Sequence, residues 1–358
     1  MKKKLQKRQI FRFCCALLCL VLVLVLTCVS HVIANLLYSQ QAGERWQGNS
    51  DTRFAQISVF FKQDSDFNIN SIESFHENID NALISSSLEA SSDSARLWYD
   101  CYSTQGGQME ITGTRKNSTK ALITAVGGDF FTMHTPELAD GSYFQDSDIM
   151  QDRVVIDTTL AWQLFGSSQV AGMELTIHKK TCLIAGVIKP ETDYASQTAY
   201  GDTPRIYISY MLYQELEALD SNIQIDCYET VLPNPVKNFA KNLISENMNS
   251  ENTNNMNSEN NMTILQNTGR YSLSRRFENL KNIRNLIVSE TVTYPYWENS
   301  ARIICFDTAM LLFLIILLLI YPVLYFIWLC WKFYCFVDKT IWQKRQAYKN
   351  RYRSQISS

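Results

Sequence analysis

Residues 153–166 read RVVIDTTLAWQLFG, and this stretch decides the fold class. Val154, Val155 and Ile156 form a short β-branched run that suits a strand buried on both faces. Thr158 to Phe165 reads as a short helix. Gly166 closes it, because glycine takes the left-handed conformation of a helix C-cap without steric cost. A strand passing straight into a helix marks a mixed α/β layer rather than a bundle or an all-β sandwich.

The alternation continues outward in both directions. Upstream, Phe54 to Phe61 reads as a strand leaving the membrane. Ile69, Ile72, Phe75, Ile79 and Leu83 recur at helical spacing and predict an amphipathic helix over 69–88. Arg96 to Tyr102 and Gln108 to Thr114 flank Gln105-Gly106-Gly107, which reads as the turn of a hairpin. Ala121 to Val126 is a strand that runs into Gly127-Gly128-Asp129-Phe130-Phe131, where glycine releases the chain from extended geometry. Downstream, Met173 to His178 and Thr181 to Ile188 form a hairpin around Lys179-Lys180. Pro204 to Ser209 is a strand, followed by a helix through Leu216. Ile223 to Leu232 is a further strand that Pro233 and Pro235 stop, and Val236 to Ile244 returns to helix.

Composition then changes. Residues 247–252 read NMNSEN and residues 255–260 repeat them letter for letter. A segment with so few core-forming side chains cannot offset its ordering entropy, so 246–262 reads as a flexible Asn/Ser/Met-rich loop. Beyond it, Leu273, Phe277, Leu280, Ile283 and Ile287 predict an amphipathic helix, and 263–308 reads as a stalk and membrane-entering segment.

Two apolar stretches bracket all of this, at residues 13–37 and 309–331. About 20 apolar residues span a hydrocarbon core about 30 Å thick, so each is a transmembrane helix by length. Lys2, Lys3, Lys4, Lys7, Arg8 and Arg12 precede the first. Lys332, Lys339, Lys344, Arg345, Lys349, Arg351 and Arg353 follow the second, against Asp338 alone. Basic flanks stay in the cytoplasm, so residues 1–12 and 332–358 are cytoplasmic tails and residues 38–245 an extracytoplasmic core domain. The expected location is the cell membrane, with two spans. The first apolar core is too long for a signal peptide and lacks a small-x-small cleavage site, which makes it an uncleaved anchor. Tyr294, Tyr296 and Trp297 sit where headgroups are expected, and Pro322 is tolerable within a membrane helix.

Without its tails the chain carries a formal balance of about −14, which argues against nucleic acid as a partner. The basic tails suit anionic lipid or a cytoplasmic protein. Cys101, Cys182 and Cys227 lie outside the spans without paired spacing, and either one disulfide or free buried thiols fit that pattern.

Motifs for chemistry do not emerge. There is no G-x-x-x-x-G-K-[ST] cradle for ATP, no H-E-x-x-H among His31, His76, His134 and His178, and no G-x-S-x-G elbow. Asp140, Asp146 and Asp148 read as a solvated acidic loop, since no calcium-loop glycine accompanies them. The sequence gives no catalytic, cofactor-binding or metal-binding residue, and the chain is expected not to be an enzyme.

A series of blocks carries a resemblance. It runs Ala125-Val126-Gly127-Gly128-Asp129-Phe130-Phe131, Asp140-Gly141-Ser142-Tyr143-Phe144, Val154-Val155-Ile156-Asp157, Ala161-Trp162-Gln163-Leu164-Phe165-Gly166, Gly172, and Ile184-Ala185-Gly186-Val187-Ile188. In this order and spacing it resembles the extracytoplasmic core domain of MacB-like ABC transporter permeases, over roughly 53–244. The run from Tyr294 to Arg302 looks like the membrane-entering segment of two-span Gram-positive relatives that lack the full FtsX-like membrane module.

The resemblance implies an α+β or α/β outer domain in two lobes flanked by two transmembrane helices. It implies no transport through the chain's own spans, but mechanotransmission driven by a separate ABC ATPase. Complete permeases of that family place three spans after the outer domain. Here one span and 27 further residues follow, so a longer permease subunit or a homodimer partner is expected. The alternative is a two-span extracytoplasmic ligand sensor or binding protein that signals through a partner. Pro295, Tyr296, Trp297 and Glu298 are the expected membrane-entering and coupling residues, since a rigid proline and amphipathic aromatics suit that depth.

Overall fold

The computed structural model describes residues 2–62, 65–90, 92, 95–114, 117–217, 223–251, 262–284 and 294–356. It divides into two compact units, Asn35–Phe306 and the pair of segments Met1–Ala34 and Asp307–Ser358.

Among the described residues, the 35–306 unit is built on ten strands: β1 Phe54–Phe61, β2 Tyr99–Gly113, β3 Ser118–Gly128, β4 Leu138–Gly141, β5 Arg153–Asp157, β6 Glu174–Ile177, β7 Lys180–Ile188, β8 Arg205–Ser209, β9 Cys227–Pro233 and β10 Met262–Gln266. They run in the order β10-β1-β9-β2-β3-β8-β5-β7-β4, with β6 pairing both β2 and β7. β3 with β8 and β5 with β7 are the parallel pairs. Parallel neighbours need a crossover, and helix α5, Thr158–Phe165, belongs to the one between β5 and β7. Asp157 caps α5 by accepting from the Leu160 amide at 2.7 Å, and Gly166 ends it at φ +73°.

Two cores lie against helices. Ala55, Ile57, Val59 and Phe61 of β1 alternate toward Ile72, Phe75, Ile79 and Leu83 of α3, Ile69–Ser85, and toward Ala240 and Ile244 of α8, Phe239–Glu251. Farther along the sheet, Val154 and Ile156 of β5 meet Leu160 and Leu164 of α5, with Leu212 of α7, Tyr210–Leu216. Val155 points the other way, into a third core around Phe130, Phe131 and Met133 of α4, Phe130–His134. That double burial is why β5 reads as a continuous apolar run.

Three sequence readings change. Gln105-Gly106-Gly107 is not a hairpin turn: β2 runs straight through it, and its register against β3 shifts between Gln105 and Gln108. A bulge uses the same glycine freedom as a turn, and Gly107 sits at φ +67°. The helix expected to stop at Ile244 runs to Glu251, and the rest of the Asn-rich repeat lies outside the described residues. Residues 262–266, which the sequence assigned to the loop's end and the stalk, form β10 on the edge of β1. The stalk helix is present as α9, Leu273–Lys281, whereas Ile287 lies outside the described residues. Among the described residues there are also two short α-helices, α2 at Ala42–Gln47 and α6 at Tyr194–Tyr200.

The other unit is made of two helices. α1 spans Lys2–Ala34, and α10, Tyr296–Ile356, supplies the rest from Asp307 onward. Both are long and apolar enough to cross a membrane. The Arg12 guanidinium lies 5.8 Å from the Trp328 ring centroid, and the Tyr321 hydroxyl donates to the Arg12 carbonyl at 3.4 Å. The start of the first apolar stretch thus lies beside the end of the second, as in an antiparallel hairpin.

Candidate functional site

Strand register assembles a polar centre inside the 35–306 unit. β1 sets Ser58 opposite Glu229, and β2 sets Cys101 opposite the same residue. Glu229 is 1% exposed, so its carboxylate must be satisfied by protein. Ser58 donates to Oε1 at 2.6 Å, while His134 and Trp297 donate to Oε2 at 2.8 and 3.1 Å. Asn267 in turn donates to Ser58 Oγ at 2.7 Å. Burial pushes the Glu229 carboxyl up, but the His134 imidazole and the three donors outweigh it and hold the group below the ordinary glutamate value.

Of the four residues expected at the membrane surface, Trp297 reaches this centre and the other three adjoin it in sequence. Pro295 offers its carbonyl to the amides of Glu298 and Asn299 at 3.1 and 3.0 Å, opening α10. Trp297 binds Glu229, and its ring lies 4.6 Å from that of His134 and 5.5 Å from that of Phe130. Glu298, fully buried, receives both terminal nitrogens of Arg270 at 2.7 and 2.6 Å in a bidentate pair. Tyr296 packs 4.9 Å from Tyr200, edge to face, and its hydroxyl lies 3.5 Å from that of Tyr207. Tyr200 and the Arg205 amide both donate to Asp157 at 2.8 Å.

Tyr296, Trp297 and Glu298 therefore have protein around them. A buried polar centre draws on the same amphipathic character as a headgroup layer. Sequence reasoning missed their partners Glu229, His134 and Arg270. The one available signal was a carboxylate in the middle of the strand run CYETVLP, at 227–233.

Cys101, His134 and Glu229 bring one potential ligand atom each within 4.8 Å of one another. The arrangement fits a closed hydrogen-bonded cluster better than a metal site. Both Glu229 oxygens and His134 Nε2 are already engaged with each other, Ser58 and Trp297. Burial, then the negative charge of Glu229, drives the Cys101 thiol well above its ordinary value. Cys182 and Cys227 are also buried free thiols.

The order of elements can now be set beside known proteins. The sequence profile described as the MacB-like periplasmic core domain matches residues 48–243, more than half of the chain. The chain belongs to this family. The MacB-like core of the present chain carries a mixed α/β architecture, and two helices of the chain are long and apolar enough to cross a membrane. Among solved structures, it is similar to the periplasmic region of MacB from Actinobacillus actinomycetemcomitans, at 12% identity and TM-score 0.41, covering 63% of this chain and 92% of that one. It is also similar to the extracellular domain of the noncanonic ABC-type transporter YknZ from Gram-positive bacteria, at 14% identity and TM-score 0.38, covering 59% and 99%. A domain of a permease protein from Porphyromonas gingivalis matches at 12% identity and TM-score 0.35, covering 60% and 89%. No curated protein matches the chain.

Proposed function

We propose that this MacB-like chain is a non-catalytic, permease-like membrane subunit of an ABC-type export or mechanotransmission complex, driven by an ATPase on a separate polypeptide. The observation that carries the reading is the anchoring of α10. Its first turn is tied by Trp297 to β9, by Glu298 to the turn after β10, and by Tyr296 to β8 through Tyr207. The same helix continues without interruption into the second apolar stretch. Displacement of such a helix is resisted at its start by buried charge-assisted bonds rather than by mobile surface contacts. Pro295, Tyr296, Trp297 and Glu298 are accordingly the coupling residues of this reading, acting from inside the outer domain.

Both tails face the cytoplasm in this scheme and the MacB-like core faces outward. The basic tails meet anionic lipid, and a longer permease or a second copy completes the membrane module. Extraction of the full chain in mild detergent is expected to recover an ATPase or longer permease with it. Repeated recovery of the chain alone overturns the proposal. Trp297→Ala is expected to disturb assembly of the complex, and unchanged assembly contradicts the coupling role. Trp297→Phe retains part of the assembly.

A further inference from the structure

Between α8, β10, α9 and the first turns of α10 lies a cleft of about 240 Å³. Strand alternation builds one wall: Met262 and Ile264 of β10 pack onto the core, so Thr263 and Leu265 face the cleft. Helical spacing builds two more. Arg275 and Asn279 lie one turn apart on α9, and Glu298, Arg302 and Cys305 recur along one face of α10. Lys241 of α8 also lines it.

The charge on these walls runs against that of the chain. Without its tails the chain is strongly acidic, yet Lys241, Arg270, Arg275 and Arg302 all line this one cleft. Among the described residues Glu298 is its only carboxylate, and that group is already spent. Arg270 holds both Glu298 oxygens and points Nε at Cys305 Sγ, 3.2 Å away. Lys241, Arg275 and Arg302 remain in excess.

Of these, the Arg302 guanidinium lies 4.4 Å from the Tyr294 ring centroid. Arg275 pairs with Glu278 at 3.0 Å, but the two side chains are 40% and 57% exposed, and a surface pair of that kind holds weakly. Lys241 is half-buried and makes no ion pair among the described residues. Burial first, and then the positive charge of Arg275, pull its ammonium below the ordinary lysine value, against the attraction of Glu278. Two cations that repel each other across a half-buried cleft are both stabilised by an anion set between them.

The donors select the anion. Lys241 and Arg275 belong to two helices, while Asn279 and Thr263 offer an amide N–H and a hydroxyl as neutral donors. A carboxylate has two oxygens in one plane and a single charge. A phosphoryl group sets three or four oxygens around a tetrahedron and carries up to two charges, which suits donors spread over three elements, and a guanidinium fork matches it. The volume falls below the range of about 300–1,000 Å³ typical of pockets for drug-sized ligands, which favours a headgroup over a whole nucleotide.

We propose that this cleft binds a phosphoryl group, with Lys241 and Arg275 as its charged partners, Asn279 and Thr263 as neutral donors, and Arg302 adding positive potential. The site goes beyond the transport reading and stands whether or not an ATPase drives the chain. Arg302 comes seven residues before the apolar stretch at 309–331, so a lipid headgroup and a free phosphate are both sources of this chemistry.

The test uses the full chain in a neutral detergent at fixed ionic strength. Calorimetric titration with inorganic phosphate and with dihexanoylphosphatidylglycerol is expected to show saturable binding, with acetate at least tenfold weaker than the better of the two. Lys241→Met and Arg275→Met should each weaken that better probe at least tenfold, with thermal midpoints kept within a few degrees. Glu278→Gln, which releases Arg275 from its carboxylate, should tighten it severalfold, a gain that a misfolded variant cannot produce. Unchanged affinity in the three variants, acetate binding as tightly, or no binding of either phosphoryl probe overturns the proposal. Tighter binding of the lipid than of inorganic phosphate supports it and assigns a headgroup. The reverse order supports it and assigns a free phosphate.

Discussion

The indole N–H of Trp297 reaches the carboxylate of Glu229 at 3.1 Å across 68 residues of sequence, and both side chains are all but excluded from water. A bond between a neutral donor and a buried carboxylate contributes about 1.5–3 kcal/mol. Trp297→Phe keeps most of the ring and loses the donor. Thermal unfolding is expected to register a loss of that size, well short of the loss on removing Glu229 itself. Glu229→Ala strands His134, Ser58 and Trp297 together and should cost about 3–5 kcal/mol, as breaking a buried pair does. A double variant no worse than Glu229→Ala alone verifies that the two residues act through one contact.

Arg270 and Glu298 form the second fastening, with side chains 11% and 1% exposed. Removal of either partner leaves a buried charge, so Arg270→Met and Glu298→Met should each destabilise by about 3–5 kcal/mol. Replacement of both by methionine should recover most of the loss, since desolvation of the pair nearly cancels its attraction. Denaturant midpoints of the two single variants and the double variant check this, and additive losses contradict it.

Acid sensitivity follows from Glu229. Its carboxyl is held below the ordinary value, so the folded chain binds that proton less tightly than the unfolded chain. The stability it contributes is complete above the unfolded glutamate value of about 4.3 and disappears as pH falls through the lower folded value. Asp157, Glu191 and Asp226 behave oppositely, each raised first of all by burial. Their charged forms cost stability at neutral pH, a cost relieved as pH falls through their raised values. Thermal midpoints are therefore expected to hold or rise slightly from pH 7 to about 5 and to drop below about 4. Glu229→Gln should flatten the acid drop.

Gly106 and Gly107 separate two uses of glycine. A methyl group on Gly106 would lie 2.7 Å from Cε2 of Tyr213 and 3.0 Å from Cβ of Ile123, whereas at Gly107 it would meet open space but at φ +67°. Gly106→Ala should cost about 1–3 kcal/mol by overpacking. Gly107→Ala should cost about 1–2 kcal/mol through backbone strain alone. Gly107→Asn should recover part of that in thermal unfolding, which a packing defect would not allow.

Much of the scaffold was legible because local rules governed it. The span from Phe54 to Phe61 matches β1 in both limits, the Lys179 turn between β6 and β7 is present, and Gly166 closes α5. These depend on neighbours in sequence. The centre around Glu229 does not, because pairing of Ser58 with Glu229 is a matter of strand register, which no local pattern fixes without the partner strand. β10 was hidden for a related reason: a five-residue edge strand of half-buried side chains carries little alternation of its own. The glycine pair in β2 was read as a turn because bulges and turns share their residue preferences, and long-range pairing decides between them.

That uninterrupted β2 ribbon has a mechanical meaning. Its first five residues, Tyr99 to Ser103, hydrogen-bond to β9 and its last three, Ile111 to Gly113, to β6. The sheet therefore carries one continuous beam from β9 to β6. Sliding its two ends past each other would tear main-chain ladders. Flexing at the register shift between Gln105 and Gln108 would spare them.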